Sequence, residues 1–212
     1  MTIVVFGATG GIGHFVVEYC LKKEYKVRAY VRNQKKIRIS HSNLTIIEGS
    51  LDDYSRIKET IHGSDAIISC IGIPMKYNYP NFESLKGHLN ILRAMKEEKV
   101  RRLIDWATPS VRFSRDRKSL ITVLPGFIAK IFLPKTKKEL IEIANNIVTS
   151  DLDWTIVRFI APKDTDTGKV AVSFGETNLS FSISRRQIAQ FMVEELEKNE
   201  YIHSMPIIGT IK

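Results

Sequence analysis

The stretch VVFGATGGIGHF, residues 4–15, sets four glycines between two apolar runs. Two frames fit it. Gly7, Gly10 and Gly13 form G-x-x-G-x-x-G, while Gly7, Gly11 and Gly13 form G-x-x-x-G-x-G. Both spacings belong to turns that lead from a strand into a helix and let a phosphate approach backbone amides, which any side chain there would block. The run before the glycines, TIVVFGA (2–8), is continuously apolar, as expected of a strand buried on both faces of a parallel sheet. After them, Ile12, Phe15, Val16, Tyr19 and Cys20 recur at helical spacing.

The same alternation continues along the chain. KVRAYVR (26–32), LTIIEG (44–49), DAIISCIG (65–72), RRLIDWA (101–107) and DWTIVRF (153–159) read as further strands. Between them lie helical stretches: DDYSRIKETIHG, closed by Gly63, a run from about 81 to 98, and KTKKELIEIANNIVTS. Strands alternating with helices imply right-handed βαβ units and one parallel sheet. The expected class is α/β, a doubly wound Rossmann sheet with helices on both faces. KVAVSFGETNLSFSIS (169–184) reads instead as a hairpin around Gly-Glu-Thr-Asn, followed by a helix bearing Ile188, Phe191, Met192 and Leu196. With no repeat and no linker-like stretch, a single domain over 1–212 is expected, with substrate-side elements at about 108–135 and 160–185.

Composition narrows the classes. The chain has 212 residues, 43% hydrophobic and 26% charged, ordinary values for a soluble globular protein. The apolar N-terminal run lacks a basic leader and reads as a strand rather than a signal peptide. No stretch approaches a membrane span; LITVLPGFIAKIFLP (120–134) is interrupted by Pro125, Gly126 and Lys130. Two cysteines, Cys20 and Cys70, indicate neither a disulfide framework nor a metal site, so no metal is expected and a reducing cytoplasm fits best. The net charge of +9 gathers partly at Arg32, Lys35, Lys36 and Arg38, at Arg112, Arg115, Arg117 and Lys118, and at Lys135, Lys137 and Lys138. These clusters are dispersed and lack interleaved aromatic residues, so nucleic acid is not the expected partner.

The glycine turn sits in the first βαβ unit, where a dinucleotide's pyrophosphate meets a helix N-terminus. Its candidate contacts are Gly7, Thr9, Gly10, Gly11, Ile12 and Gly13. NAD sites usually end the second strand with an acid for the ribose 2′-hydroxyl. Here that strand ends AYVRN, and the Arg32 guanidinium suits a 2′-phosphate, so NADP(H) is favoured over NAD(H). Leu51 and Asp52 follow the third strand; Asp52 reads either as an adenine contact or as a helix N-cap. Cys70, Ile71 and Gly72 end the fourth strand and would offer backbone beside the cofactor ribose. Cys70 reads as a small buried residue rather than a redox thiol. His14 is a minor candidate for phosphate contact, and His88 reads as a helix-surface histidine.

With these residues the chain resembles the short-chain dehydrogenase superfamily, and more closely its atypical branch. That branch includes NmrA-like proteins, the flavin reductase (biliverdin reductase B) group and bacterial NADH-flavin reductases. The resemblance runs through VVFGATGGIG, AYVRN, GSLDD, NILRAMKEEKVRRLI, SDLDWTIVRF and SISRRQIAQFM. The family usually carries Pro after the Arg of S-x-L-D-W-T-I-V-R; here Phe159 stands there and Pro162 follows. The resemblance favours the frame Gly7, Gly10, Gly13. It implies that a Ser or Thr at the end of strand five lies beside the nicotinamide, which points to Thr108 and Ser110 of ATPS.

Catalytic members of the wider superfamily carry Tyr-x-x-x-Lys after strand five. Tyr19/Lys23 and Tyr54/Lys58 match the spacing but belong to the first and third crossovers, and 107–150 contains no tyrosine. Reducing a ketone needs a proton donor in step with hydride transfer. A flavin or quinone spreads the charge and takes its proton from water, so alignment suffices. The expected activity is therefore hydride transfer from NADPH to a flavin, quinone or similar flat acceptor, a flavin being one candidate substrate. The alternative is a non-catalytic NADP-sensing regulator of the NmrA kind. Segment 111–134, basic and then apolar, reads as a lid over the acceptor, with Arg112 or Arg115 drawing an FMN phosphate, or as a homodimer contact or core packing.

Overall fold

The computed structural model describes residues 1–166 and 168–211. The first half repeats one unit. Strands β1 (Thr2–Phe6), β2 (Lys26–Val31), β3 (Leu44–Glu48), β4 (Ala66–Ser69), β5 (Arg102–Ala107) and β6 (Asp153–Arg158) run parallel. Helices α1 (Gly13–Lys22), α2 (Tyr54–Ile61) and α3 (Glu83–Glu98) fill the β1–β2, β3–β4 and β4–β5 connections, β2–β3 carrying only a short 3-10 turn. Helix α4 (Leu120–Phe132) with α5 (Pro134–Val148) fills the longest one. The chain then forms β7 (Ala161–Lys163), β8 (Lys169–Ser173), β9 (Ser182–Ser184), α6 (Arg185–Lys198) and β10 (Ile207–Ile211). Among the described residues, eight strands make the main sheet in the order β3-β2-β1-β4-β5-β6-β10-β8. The strand order reverses between β1 and β4, which opens a crevice above their C-terminal ends.

The continuous apolar run of β1 has a direct structural cause. Ile3 and Val5 point into one core with Val16, Val17 and Cys20 of α1 and Ile188 and Met192 of α6. Val4 and Phe6 point into the other, with Ile57 of α2, Ile91 and Met95 of α3 and Ile143 and Ile147 of α5. Both faces are covered, so a polar residue at any of these alternating positions would be buried. Each such aliphatic side chain contributes about 1.5–3 kcal/mol through burial.

The expected hairpin over 169–184 does not form. β8 runs antiparallel to β10, with Ile208 opposite Val172, whereas β9 pairs in parallel with β7, with Pro162 opposite Ile183. Two features redirect the chain. Ser173 Oγ accepts the amides of Gly175 and Thr177 at 2.9 and 3.0 Å, so a tight turn closes directly after β8. The C-terminal run IIGTI, which carried no strand expectation, is buried between β6 and β8 and supplies the partner that β8 takes instead.

Candidate functional site

The glycine turn is built by contacts on three sides. Gly7 has φ 72°, a left-handed conformation, and a Cβ there would overlap the Cys70 carbonyl at the end of β4. A Cβ on Gly13 would overlap the Gly7 carbonyl, so α1 can start this close to the turn only with glycine. Both residues are common to the two frames. Gly10 and Gly11 separate them. Gly10 donates its N–H to Gly7 O at 2.9 Å and lines a cleft, while Gly11 lies beneath Arg185, whose Nε is 2.9 Å from where a Cβ would sit. The helix starts with Ile12 at the N-cap, without a side-chain cap and without an acid in its first turn. Its leading amides and dipole are thus presented to an anion rather than to the protein's own carboxylates. His14 Nδ1 lies 2.9 Å from Gly10 O, so its ring braces the turn.

The crevice has a volume of about 630 Å³. The chain brings Gly7, Thr9, Gly10, Arg32, Leu51, Asp52, Cys70, Ile71 and Gly72 to its walls, from the ends of four adjacent strands. Gly11, Ile12 and Gly13 are not on those walls. Arg32 is exposed, one residue beyond β2. The N-cap of α2 is Asp53, whose Oδ1 accepts Arg56 N–H at 2.9 Å, which removes the capping reading of Asp52 and leaves it at the cleft. Tyr30 donates its hydroxyl to Ser50 O at 2.7 Å; burial, with Asp53 nearby, pushes that phenol up to about 12. Burial also pushes the Cys70 thiol up, so it stays protonated at neutral pH, as expected of a packing residue.

The far wall was not foreseen. Ile73, Pro74, Tyr79, Pro80 and Ser84 form it. Tyr79 donates to Glu139 Oε2 at 2.6 Å, and Glu139 Oε1 accepts the Leu85 amide at 2.9 Å. Thr136 donates to Pro74 O at 2.6 Å. These bonds join residues about sixty positions apart, so no local pattern announces them.

Thr108 and Ser110 lie beyond β5 with their hydroxyl oxygens 2.7 Å apart. Both line a second cavity of about 180 Å³, otherwise mostly apolar, walled by Leu124, Pro125, Ile128 and Ala129 of α4, by Leu140 of α5 and by Met75, Ile160 and Phe181. Pro74 borders the crevice and Met75 this cavity, so one loop runs along both. Lys137 is the one charged residue among the lining residues described; its Nζ donates to Gly126 O at 3.0 Å. Arg112 and Arg115 are outside it. Arg115 stacks its guanidinium 4.2 Å over the Phe174 ring. No tyrosine is among the described residues lining this second cavity; Tyr30 and Tyr79 line the crevice, and neither Tyr19 nor Tyr54 lines either space. Phe159, standing where proline is usual, is buried and stacks on Trp106 at 5.5 Å. Trp106 Nε1 in turn donates to Ile71 O at 3.0 Å, binding the ends of β4 and β5 together.

His88 departs from its expected surface position. It is buried on α3, with Nδ1 2.6 Å from Ser84 O and Nε2 3.0 Å from Asp105 Oδ2 and 3.1 Å from Ser69 Oγ. Burial opposes its charge, yet Asp105 outweighs this and the net shift is upward. The helix face carrying Ile91 and Met95 also carries His88 and turns it inward.

The chain matches the model of the NAD(P)H-binding family over residues 7–199. It is 24% identical to the oxidoreductase ordB of Dothistroma septosporum over 94% of this chain and 79% of that protein. It is 26% identical to a 2-alkyl-3-oxoalkanoate reductase of Shewanella oneidensis, over 54% of this chain but only 30% of that larger protein. Among solved structures, a short-chain dehydrogenase/reductase from Veillonella parvula in complex with NADP superposes with a TM-score of 0.76 at 17% identity, covering 98% of this chain and 94% of that one. ChuY, an anaerobillin reductase from Escherichia coli, superposes equally well at 0.76 and 18% identity, covering 100% and 99%. Likeness at these identities establishes the shared fold.

Proposed function

Because the chain belongs to the NAD(P)H-binding family, we propose that it is an NADPH-dependent reductase that passes hydride to a flavin, quinone or similar flat conjugated acceptor. The observation that carries this reading is the mostly apolar cavity beside the crevice. Its described lining holds the hydroxyls of Thr108, Ser110 and Thr136 and the Lys137 ammonium but no tyrosine, the Thr136 hydroxyl being taken up by Pro74 O. The cradle fits a dinucleotide: glycines where a Cβ would collide, uncapped amides at the start of α1, and Arg32 at the end of β2. Gly7, Thr9 and Gly10 would hold the pyrophosphate with the α1 amides, and Gly11, Ile12 and Gly13 would shape the turn. Arg32 would take the 2′-phosphate, Leu51 and Asp52 the adenine, and Cys70, Ile71 and Gly72 the ribose beside the nicotinamide. When bound, the cofactor supplies a hydride.

The remaining work falls to the chain. Leu124, Ile128 and Leu140 exclude water and press a flat ring against the end of β5. Thr108 and Ser110 orient an acceptor carbonyl by hydrogen bonds, and Lys137 favours the negative charge that develops on it. The acceptor gains two electrons with the hydride and then a proton from water. Similarity to an anaerobillin reductase and to an oxidoreductase supports a reductive role.

The test is NADPH oxidation, followed by its near-ultraviolet absorbance, with menadione, FMN and FAD as acceptors. Turnover that falls in Thr108→Val and Ser110→Ala while NADPH affinity holds supports the reading. NADP binding without turnover on any acceptor overturns it and assigns a sensing role.

A further inference from the structure

We propose that α4 is an interfacial helix that docks the protein on an anionic lipid surface. Leu120, Val123, Leu124, Phe127, Ile128, Ile131 and Phe132 recur at the spacing of one helical face. Such a stripe ordinarily faces a core. Here it faces solvent: Leu120 is 75% exposed, Phe127 62% and Phe132 64%, and the helix buries only Ile121 and Thr122. A contiguous apolar patch of this kind marks an interaction surface.

Charge indicates the occupant. No Asp or Glu occurs between 117 and 138, and the preceding carboxylate, Asp116, is held by Arg158. Arg117 and Lys118 precede the helix, Lys130 lies on it and Lys138 follows, all exposed. A second copy placed symmetrically on this face would set one cation-bearing, acid-free segment against another, which disfavours a dimer. The exposed phenyl and alkyl groups project from one side of the helix. A fluid acyl layer receives such a shape with basic residues left among anionic headgroups. No helix among the described residues is long and apolar enough to cross a membrane, so α4 would lie in the interface plane. This revises the expectation of no membrane partner, which considered only spans.

The edge of α4 that lines the cavity carries Leu124 and Ile128. Docking would therefore open the cavity toward lipid, and the acceptor class narrows to lipid-dissolved quinones; this clause alone rests on the reductase reading.

The experiment is co-sedimentation of the full chain with vesicles of phosphatidylcholine alone or containing about one third phosphatidylglycerol. Partitioning onto the anionic vesicles about tenfold above the neutral ones, lost at high salt, is expected. Phe127→Ser with Phe132→Ser, and separately Arg117→Glu with Lys118→Glu and Lys130→Glu, should each lower it about tenfold. None of these residues lines the crevice or the cavity, so NADPH binding in solution reports that each variant is folded. Absence of binding to either vesicle, or a dimer in solution that the phenylalanine variant dissociates, overturns the proposal. Vesicle binding is read without cofactor or acceptor, so its failure leaves the reductase reading standing. Failure with soluble menadione likewise leaves the docking standing.

Discussion

Arg158 grips the carboxylate of Asp116 at both oxygens, with Nη1 2.7 Å from Oδ2 and Nη2 2.6 Å from Oδ1. Its remaining donors reach Val111 O at 2.9 Å and Met205 O at 2.6 Å. One buried guanidinium thus joins β6, the segment that leads from Ser110 to α4, and the approach to β10. Removing one member of a buried pair leaves the other uncompensated and costs about 3–5 kcal/mol. Asp116→Ala is expected to lower unfolding free energy by about that amount in urea, with Arg158→Met at Asp116→Ala recovering part of it. A loss below about 1 kcal/mol would show that the pair is not buried in solution.

The His88–Asp105 pair sets a pH dependence. Its folded value is raised above the ordinary 6.5, so the stabilisation is fully present below that value and is lost as pH rises through the folded one. Stability relative to His88→Gln should therefore decline with rising pH, at up to about 1.4 kcal/mol per pH unit. Urea titrations of both proteins across this range measure it. A difference that stays flat with pH would mean that His88 is neutral.

Two glycines of the turn give different outcomes. Gly13→Ala is expected to destabilise the fold, because its Cβ has only the Gly7 carbonyl to displace. Gly10→Ala meets Gly7 O at 3.2 Å, a contact relieved by a small shift, but its methyl projects toward the crevice. It should melt close to the parent and bind NADPH about tenfold more weakly. Thermal melts and cofactor titration separate the two effects. Unchanged affinity in Gly10→Ala would remove Gly10 from the cofactor's path.

Arg32 should discriminate between the cofactors. A guanidinium on a 2′-phosphate makes charge-assisted bonds worth about 1.5–3 kcal/mol. Arg32→Ala is expected to weaken NADPH binding by about tenfold or more and to leave NADH nearly unchanged. Equal losses for both would assign Arg32 to the shared part of the dinucleotide.

The amino-acid sequence by itself determined the repeated strand–helix units, the glycine turn and the first six strands of one parallel sheet. Those signals are local: VVF alternates between two cores, Gly7 needs a positive φ, and helix periodicity extends over three or four turns. It also placed Arg32, Asp52, Cys70 and Gly72 at strand ends, which in a parallel sheet share one edge. Tertiary structure alone decided the rest. β8 could not be assigned a partner from its own residues, because the choice between β9 and β10 depended on an edge formed some thirty-five residues later. The Tyr79–Glu139 bond, the inward turn of His88 and the grip of Arg158 on Asp116 are contacts between distant segments with no shared periodicity. The apolar run of 120–134, interrupted by Pro125 and Gly126, reads as a lid and not as a helix, so neither α4 nor the direction of its apolar face was legible there. Periodicity fixes which residues lie together on a helix; only the packing of the other elements fixes whether they meet a core or solvent.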